Sequence, residues 1–371
     1  MEYLKLAGLA SAAVPDLDVV AAAPYSTGTT GDYDAALLRT ADGPTVIVRQ
    51  PRFAAAAAEQ LAQGRALAAL TEGLRSRLPF TVPTMLGQWR SRETQLAVFS
   101  FIPGQDCAQV ELTHDSLLVA EMGRSIAAIH ALPKSFVGEA GLPVFDVAAV
   151  RDSVEQLIDR ADTTGRLPNA LATRWGAALD DPSLWEFSPS VIHGSLERSS
   201  FITNGASVVG VLGWSDLRIG DPAQDMRWAQ TLDGATERVL FDEYVDARGA
   251  TVDRQLRQRA VLYAELELAR WLLHGVEAQD ATVIADAEQL LDGLVTRVRS
   301  LESTELRHET LPVLDLAGVQ ELLAEAGMKA RHHEANLPKR IQASDIGSEE
   351  RPEIDAERGP ARDAARYTDD D

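Results

Sequence analysis

The sequence predicts an α+β fold in two lobes, a small antiparallel-sheet lobe followed by a larger, mainly helical one. Three observations carry that expectation. Between residues 19 and 101, short runs rich in apolar residues alternate with turn residues, which is the pattern of hairpins. From 223 to 300, apolar residues recur almost without interruption at helical spacing. Between these regions lies the stretch 191–225, VIHGSLERSSFITNGASVVGVLGWSDLRIGDPAQD. It reads as strands at 191–193, 201–203 and 208–212, with a turn at Asn204-Gly205 and a helix start at Asp221-Pro222. The expected division is 1–101 for the small lobe, 102–301 for the helical lobe, and 302–371 for a short helix and a disordered acidic tail.

The segment before Pro15 reads as a short amphipathic helix packed on the first lobe. It does not fit a signal peptide, because Glu2 precedes Lys5 and alanine and glycine dilute the apolar run. A strand at 19–23 leads into Tyr-Ser-Thr-Gly-Thr-Thr-Gly at 25–31, a small-residue loop able to point N–H groups at phosphate. It is not a P-loop, since no Gly-x4-Gly-Lys-Ser/Thr occurs in the chain. Strands at 35–39 and 45–49 form a hairpin around Asp42-Gly43. Residues 54–78 predict one helix, with five alanines followed by Leu61, Leu67, Leu70, Leu74 and Leu78; Pro79 and Pro83 end it. Two more strands follow at 85–90 and 95–101.

The second lobe opens with a helix at 113–132, whose stripe is Leu118, Met122, Ile126 and Ile129. His130 at its end reads as a packed, hydrogen-bonded core histidine. Further helices are expected at 146–162, 169–180, 223–231, 235–247, 252–277 and 280–300. Trp228, Phe241, Tyr244, Tyr263, Trp271 and Leu272 are assigned mainly to the core, and Glu265, Glu267, Glu277 and Asp280 to solvated helix faces. One more short helix is expected at 313–326. Beyond 328 the chain has too little apolar surface to offset the entropy of ordering.

The chain has 371 residues, a net charge of −21, and hydrophobic and charged fractions of 45% and 25%. The acidity argues against a nucleic-acid partner, which needs a basic surface. No apolar run approaches the roughly 18 residues that span a bilayer, so no membrane association and a cytoplasmic location are expected. Cys107 is the only cysteine, which excludes an intramolecular disulfide and a Cys-based zinc site.

Within 191–225, His193, Gly194, Trp214, Gly220, Asp221, Pro222 and Asp225 make up a spacing that resembles the aminoglycoside/macrolide phosphotransferase family, which has a protein-kinase-like fold. The resemblance covers roughly residues 5–300. That family carries His-Gly-Asp, four residues, Asn, and later Ile-Asp-Trp, Gly-Asp-Pro and a further Asp. The resemblance implies a nucleotide gripped by the basic residue of the second hairpin strand, here Arg49, which pairs with a helix Glu. The matching helix position is Gln63, and Glu59 lies one turn earlier on nearly the same face. It also implies an adenine hinge at 99–102, including Phe99 and Phe101. Gly194, Asp221 and Asp225 take structural parts: a permissive backbone, a helix cap, and an acceptor for the loop's N–H groups.

The chemical positions differ. The catalytic Asp position holds Ser195, and the two metal-ligand positions hold Ser200 and Gly213. A serine hydroxyl is a poor base at neutral pH, and magnesium prefers an oxygen set with one or two carboxylates. Glu197 and Asp216 are the nearby carboxylates that substitution would recruit. No hydrolase elbow, HExxH or GxGxxG motif supports another enzyme class. The expectation is a catalytically degenerate, pseudokinase-like member that binds a nucleotide such as ATP, another small molecule or a protein partner, with weak or no magnesium binding. Two alternatives stay open: an active ATP-dependent phosphotransferase using substitute residues, and an enzyme with redirected nucleotide transfer, for example of AMP.

Overall fold

A computed structural model of the chain describes residues 2–25, 31–41, 43–91, 95–249 and 252–304. Residues 26–30 of the small-residue loop, Asp42 of the hairpin turn, the expected helix at 313–326 and the tail lie outside the described residues.

The chain opens with helix α1 (Glu2–Ala13), and strands β1 (Val19–Pro24), β2 (Tyr33–Thr40) and β3 (Val46–Pro51) follow. Next come helices α2 (Ala54–Ala69) and α3 (Glu72–Arg75) and strands β4 (Met85–Arg90) and β5 (Gln95–Ser100). The five strands form one antiparallel sheet in the order β1-β2-β3-β5-β4. Period-2 alternation divides its two faces. Leu38, Val46, Val48, Leu96 and Val98 join Leu6 and Ala10 of α1 in one apolar cluster. Ala97 and Phe99, one residue out of phase, belong instead to the large core of the helical lobe.

The single helix expected at 54–78 is broken. α2 stops at Ala69, Leu70 turns away at φ −76° and ψ 80°, and Thr71 starts α3. The cause is tertiary: the Arg75 guanidinium donates to the carbonyls of Leu67, Leu70, Val82 and Pro83 at 2.6–3.0 Å. The bonds to Leu67 and Leu70 satisfy carbonyls that a continuing helix would have paired internally, and those to Val82 and Pro83 tie the break to the segment before β4. Leu74 and Leu78 remain buried despite the break.

The helical lobe begins with the short strand β6 (Gln105–Asp106) and contains α4 (Leu117–His130), α5 (Ser135–Glu139), α6 (Val147–Thr163) and α7 (Asn169–Asp180). Short strands β7 (Ser190–Ile192), β8 (Phe201–Thr203), β9 (Val208–Val211) and β10 (Arg218–Gly220) follow, then α8 (Gly234–Arg248), α9 (Leu256–Ala278) and α10 (Ala281–Thr304). β7 pairs with β10, and β6, β8 and β9 form a small sheet. Thr81 bridges to this small sheet through Thr81 N to Val209 O, 3.0 Å, and Val211 N to Thr81 O, 3.2 Å. The segment Pro222–Thr231 is 3₁₀ rather than α-helical, and its Asp221 cap accepts the Ala223 N–H at 2.9 Å.

Two assignments on α9 are corrected. Trp271 is not core: it is 38% exposed, and its indole N–H donates to Asp286. Glu265 is not solvated: it is 2% exposed and receives Arg174 and the Trp175 indole N–H, at 2.9–3.2 Å. Among the described residues, no helix is long and apolar enough to cross a membrane.

Candidate functional site

The loop after β7 is held from beneath by one buried carboxylate. Asp225 accepts the N–H groups of Gly194 and His193, each at 2.7 Å, and the His130 Nε2 at 3.1 Å. His130 Nδ1 faces the Tyr244 hydroxyl at 2.9 Å. Burial alone would push the Asp225 carboxyl up, but the hydrogen bonds from His130 and the Gly194 N–H hold it down at about 2. The carboxylate therefore stays ionised and keeps accepting bonds.

Gly194 has φ +90°, and a Cβ there would lie 2.4 Å from the Asp216 carbonyl and 2.3 Å from an Arg218 nitrogen. Only glycine meets both conditions. His193 is fully buried, its Nε2 donates to the Leu212 carbonyl at 2.9 Å, and its ring packs on Trp214 at 4.8 Å. Burial lowers its pKa, so the ring is a neutral strut between the end of β7 and the end of β9.

Ser195, Ser200 and Gly213 come together. Ser195 Oγ donates to the Gly213 carbonyl at 3.3 Å. Gly213 has φ +88°, and a Cβ there would sit 3.6 Å from the His193 ring and 3.9 Å from Ser200 Oγ, in open van der Waals range. The Ser200 hydroxyl is spent on the loop itself, accepting the Glu197 N–H at 3.2 Å. The two other carboxylates lie at the surface beside arginines. Glu197 is 63% exposed and 3.9 Å from Arg227; Asp216 is 54% exposed and 3.7 Å from Arg218.

Asp221 faces away from this cluster. It is fully buried and bound by Arg259 at 2.7 and 3.1 Å and by the Tyr263 hydroxyl at 2.9 Å. It anchors the 3₁₀ segment to α9.

A cleft, part of it open to solvent, runs between the sheet and the helical lobe. Its apolar walls are Tyr25, Ile47, Phe99, Phe101, Ile102 and Leu212; Arg49, Gln63 and Gly213 line it too. Tyr25 and Phe101 meet edge to face across it, with centroids 6.4 Å apart. The Arg49 guanidinium lies over the Tyr33 ring at 3.9 Å and donates to Gln63 Oε1 at 3.4 Å, while its Nε is buried without a partner. Glu59 does not take the Gln63 place: Arg49 donates to Gln63, and the Tyr33 hydroxyl beneath it donates to the Ala56 carbonyl at 2.7 Å.

Tyr33, Tyr25, Leu212 and Arg218 were not singled out from the sequence. Tyr33 had a findable signal, because pairing Ala35 with Arg49 puts Tyr33 diagonal to Arg49 on the same face. The contacts of Tyr25 and Leu212 come from far along the chain and leave no local pattern, whereas Arg218 bonds locally to the Asp216 carbonyl and Gln224 and only its bond to the Gly194 carbonyl is distant.

A model described as the phosphotransferase enzyme family matches residues 28–263. The uncharacterized protein YcbJ of Bacillus subtilis (strain 168) is 23% identical over 241 residues, covering 61% of this chain and 76% of that protein. Among solved structures, the macrolide 2'-phosphotransferase MphH apoenzyme from Brachybacterium faecium aligns with a TM-score of 0.65 and 23% identity, covering 77% of this chain and 96% of that one. The GDP and kanamycin complex of APH(2")-IIia aligns with a TM-score of 0.62 and 17% identity, covering 78% and 97%. At these identities the solved structures establish the kinase-like fold of the aminoglycoside and macrolide phosphotransferases.

Proposed function

The chain belongs to the phosphotransferase enzyme family, and from that premise we propose that it is a catalytically degenerate member, which holds a nucleotide-type ligand in its interlobe cleft and transfers phosphate negligibly. The observation that carries this reading is the meeting of Ser195, Ser200 and Gly213 without a carboxylate among them. Phosphoryl transfer needs a carboxylate to orient the acceptor hydroxyl and a magnesium ion held against the phosphates. Two hydroxyls, one of them committed to the Glu197 N–H, and a glycine do not make a magnesium donor set. Glu197 is engaged in a capping box with the Ser200 N–H, and Asp216 lies beside Arg218, which argues against their serving as substitutes.

The scaffold around the lost chemistry is maintained. Asp225 still sets the loop, and Arg49 still faces the cleft beside Phe99 and Phe101. The GDP bound in one structural neighbour and the ADP in another support a nucleotide as the ligand class. Loss of a positioned base alone lowers rates by about 10² to 10⁴, and loss of transition-state electrostatics by more.

The test is a transfer assay on the full chain with ATP and with GTP, magnesium present, against aminoglycoside and macrolide acceptors. The expected result is no turnover above background. Turnover at ordinary enzyme rates, abolished by Glu197→Ala or Asp216→Ala, would replace this reading with an active enzyme using substitute residues.

A further inference from the structure

Arg49 is a half-buried cation, stacked on the Tyr33 ring, with no acidic partner among the described residues. Among the described residues no carboxylate lies within ion-pair distance of it, and its one hydrogen bond is the 3.4 Å contact to the neutral Gln63 amide. Burial lowers its pKa, and Glu59 and Asp32 act on it only at longer range. A partly buried guanidinium whose partners are a neutral amide and an aromatic face keeps its full charge available to an anion, and it lines an open cleft. The Gln63 side chain adds a second feature. Its Oε1 accepts from Arg49, so what remains of the amide is an NH₂ donor group. A glutamate at 63 would offer only acceptors and a negative charge.

We propose that the cleft is a receptor for a phosphate anion uncomplexed by metal, in which the ligand's own charge is the counter-ion that Gln63 leaves Arg49 without. The proposal rests on the nucleotide-type reading of the cleft and specifies its ligand chemistry. Arg49 and Gln63 both donate to the anion. Gly213, on the same cleft, brings no carboxylate to hold a cation that arrived with the ligand. Magnesium on the phosphates would cancel the charge that Arg49 attracts and find no protein ligand in return. Magnesium therefore opposes binding.

The experiment is calorimetric titration of the full chain with ADP in EDTA, ADP in excess magnesium, tripolyphosphate in EDTA, and adenosine. Metal-free ADP should bind about ten-fold or more tighter than adenosine, the scale of one charge-assisted hydrogen-bonded contact. Excess magnesium should weaken ADP binding. Gln63→Glu should weaken metal-free ADP about ten-fold or more and raise the melting temperature of the unliganded chain, because it gives Arg49 its missing partner. Those opposite signs separate a ligand role from structural damage, and Arg49→Met should lose affinity as well. Tripolyphosphate binding as tight as ADP assigns a free polyphosphate as the ligand, and ADP binding about ten-fold tighter assigns a nucleotide; both sustain the proposal. Binding strengthened by magnesium, adenosine equal to ADP, no binding of either anion, or a Gln63→Glu affinity like that of the wild type would overturn it. Phosphate transfer by the unmodified chain would sink the degenerate reading and leave these titrations to be judged alone.

Discussion

Asp225 and Gly194 are joined by a 2.7 Å hydrogen bond from the Gly194 N–H to Asp225 Oδ1, which lets one buried carboxylate set the shape of a loop 31 residues away in sequence. The bond predicts a pH signature. The Asp225 carboxyl is held at about 2 against an ordinary value of 3.8, so it contributes stability that is present above pH 4 and lost as pH falls through 2. The contribution is about 2 kcal/mol, an order-of-magnitude figure. Urea unfolding of wild type and Asp225→Asn from pH 6 down to 2 should show the variant less stable at pH 6. The gap should narrow by about that amount between pH 4 and 2. An unchanged gap across this range would show that the ionised form is not what holds the loop.

Two glycines with similar backbone angles should respond differently to alanine. At Gly194 the new Cβ meets the Asp216 carbonyl at 2.4 Å, whereas at Gly213 its nearest neighbour is the His193 ring at 3.6 Å. Gly213→Ala should therefore cost only the left-handed backbone term, about 1–2 kcal/mol. Gly194→Ala adds a backbone clash and should exceed it by about 1 kcal/mol or more. Denaturant midpoints at constant m-value decide the order, and equal losses would contradict the packing at Gly194.

Arg75 is the third case. Its guanidinium is bonded to carbonyls at the end of α2 and in the segment leading to β4. Arg75→Met keeps the stem and removes every donor. The loss should be about 3 kcal/mol or more, because partly buried carbonyls are left unpaired. A ΔΔG under about 0.5 kcal/mol in chemical denaturation would show that water replaces the guanidinium without penalty.

The sequence made the sheet faces and the loop motif legible, because both are written in short-range patterns. Alternation around Val46 and Val48 gives the buried face of β3, and the 193–225 spacing gives the loop. What stayed hidden depends on partners distant in sequence. The break after Ala69 depends on Arg75 reaching Val82 and Pro83. Glu265 was misassigned because its partners, Arg174 and Trp175, lie on α7, and helical spacing says nothing about a polar pocket on another helix. Trp271 carries a large apolar side chain, yet its indole N–H is oriented by Asp286 at the surface. The neutral partner of Arg49 was legible as a residue, Gln63, but the stack on Tyr33 required the register of β2 on β3.

The last prediction concerns rebuilding the metal site. A Cβ at position 213 would lie 3.9 Å from Ser200 Oγ, so a carboxylate grown from 213 and an amide oxygen grown from 200 would converge. The backbone at 213, φ 88° and ψ 34°, is left-handed, and aspartate is among the residues that tolerate that region best. Ser200→Asn gives up the hydroxyl that accepts the Glu197 N–H, and Gly213→Asp adds a left-handed backbone cost, so the double variant Ser200→Asn, Gly213→Asp should lose about 2 kcal/mol of stability. It should nevertheless bind Mn²⁺, used as a spectroscopic substitute for Mg²⁺, more tightly than the wild type in the presence of ADP. Ser195→Asp alone should not, because it supplies one carboxylate and leaves both metal positions as they are. Weak ATP hydrolysis is expected only when all three replacements are combined, since base and metal act as a unit. Mn²⁺ binding by the folded double variant no tighter than that of the wild type would mean that positions 200 and 213 do not converge on a common ion. The proposed loss of the metal site would then need another cause.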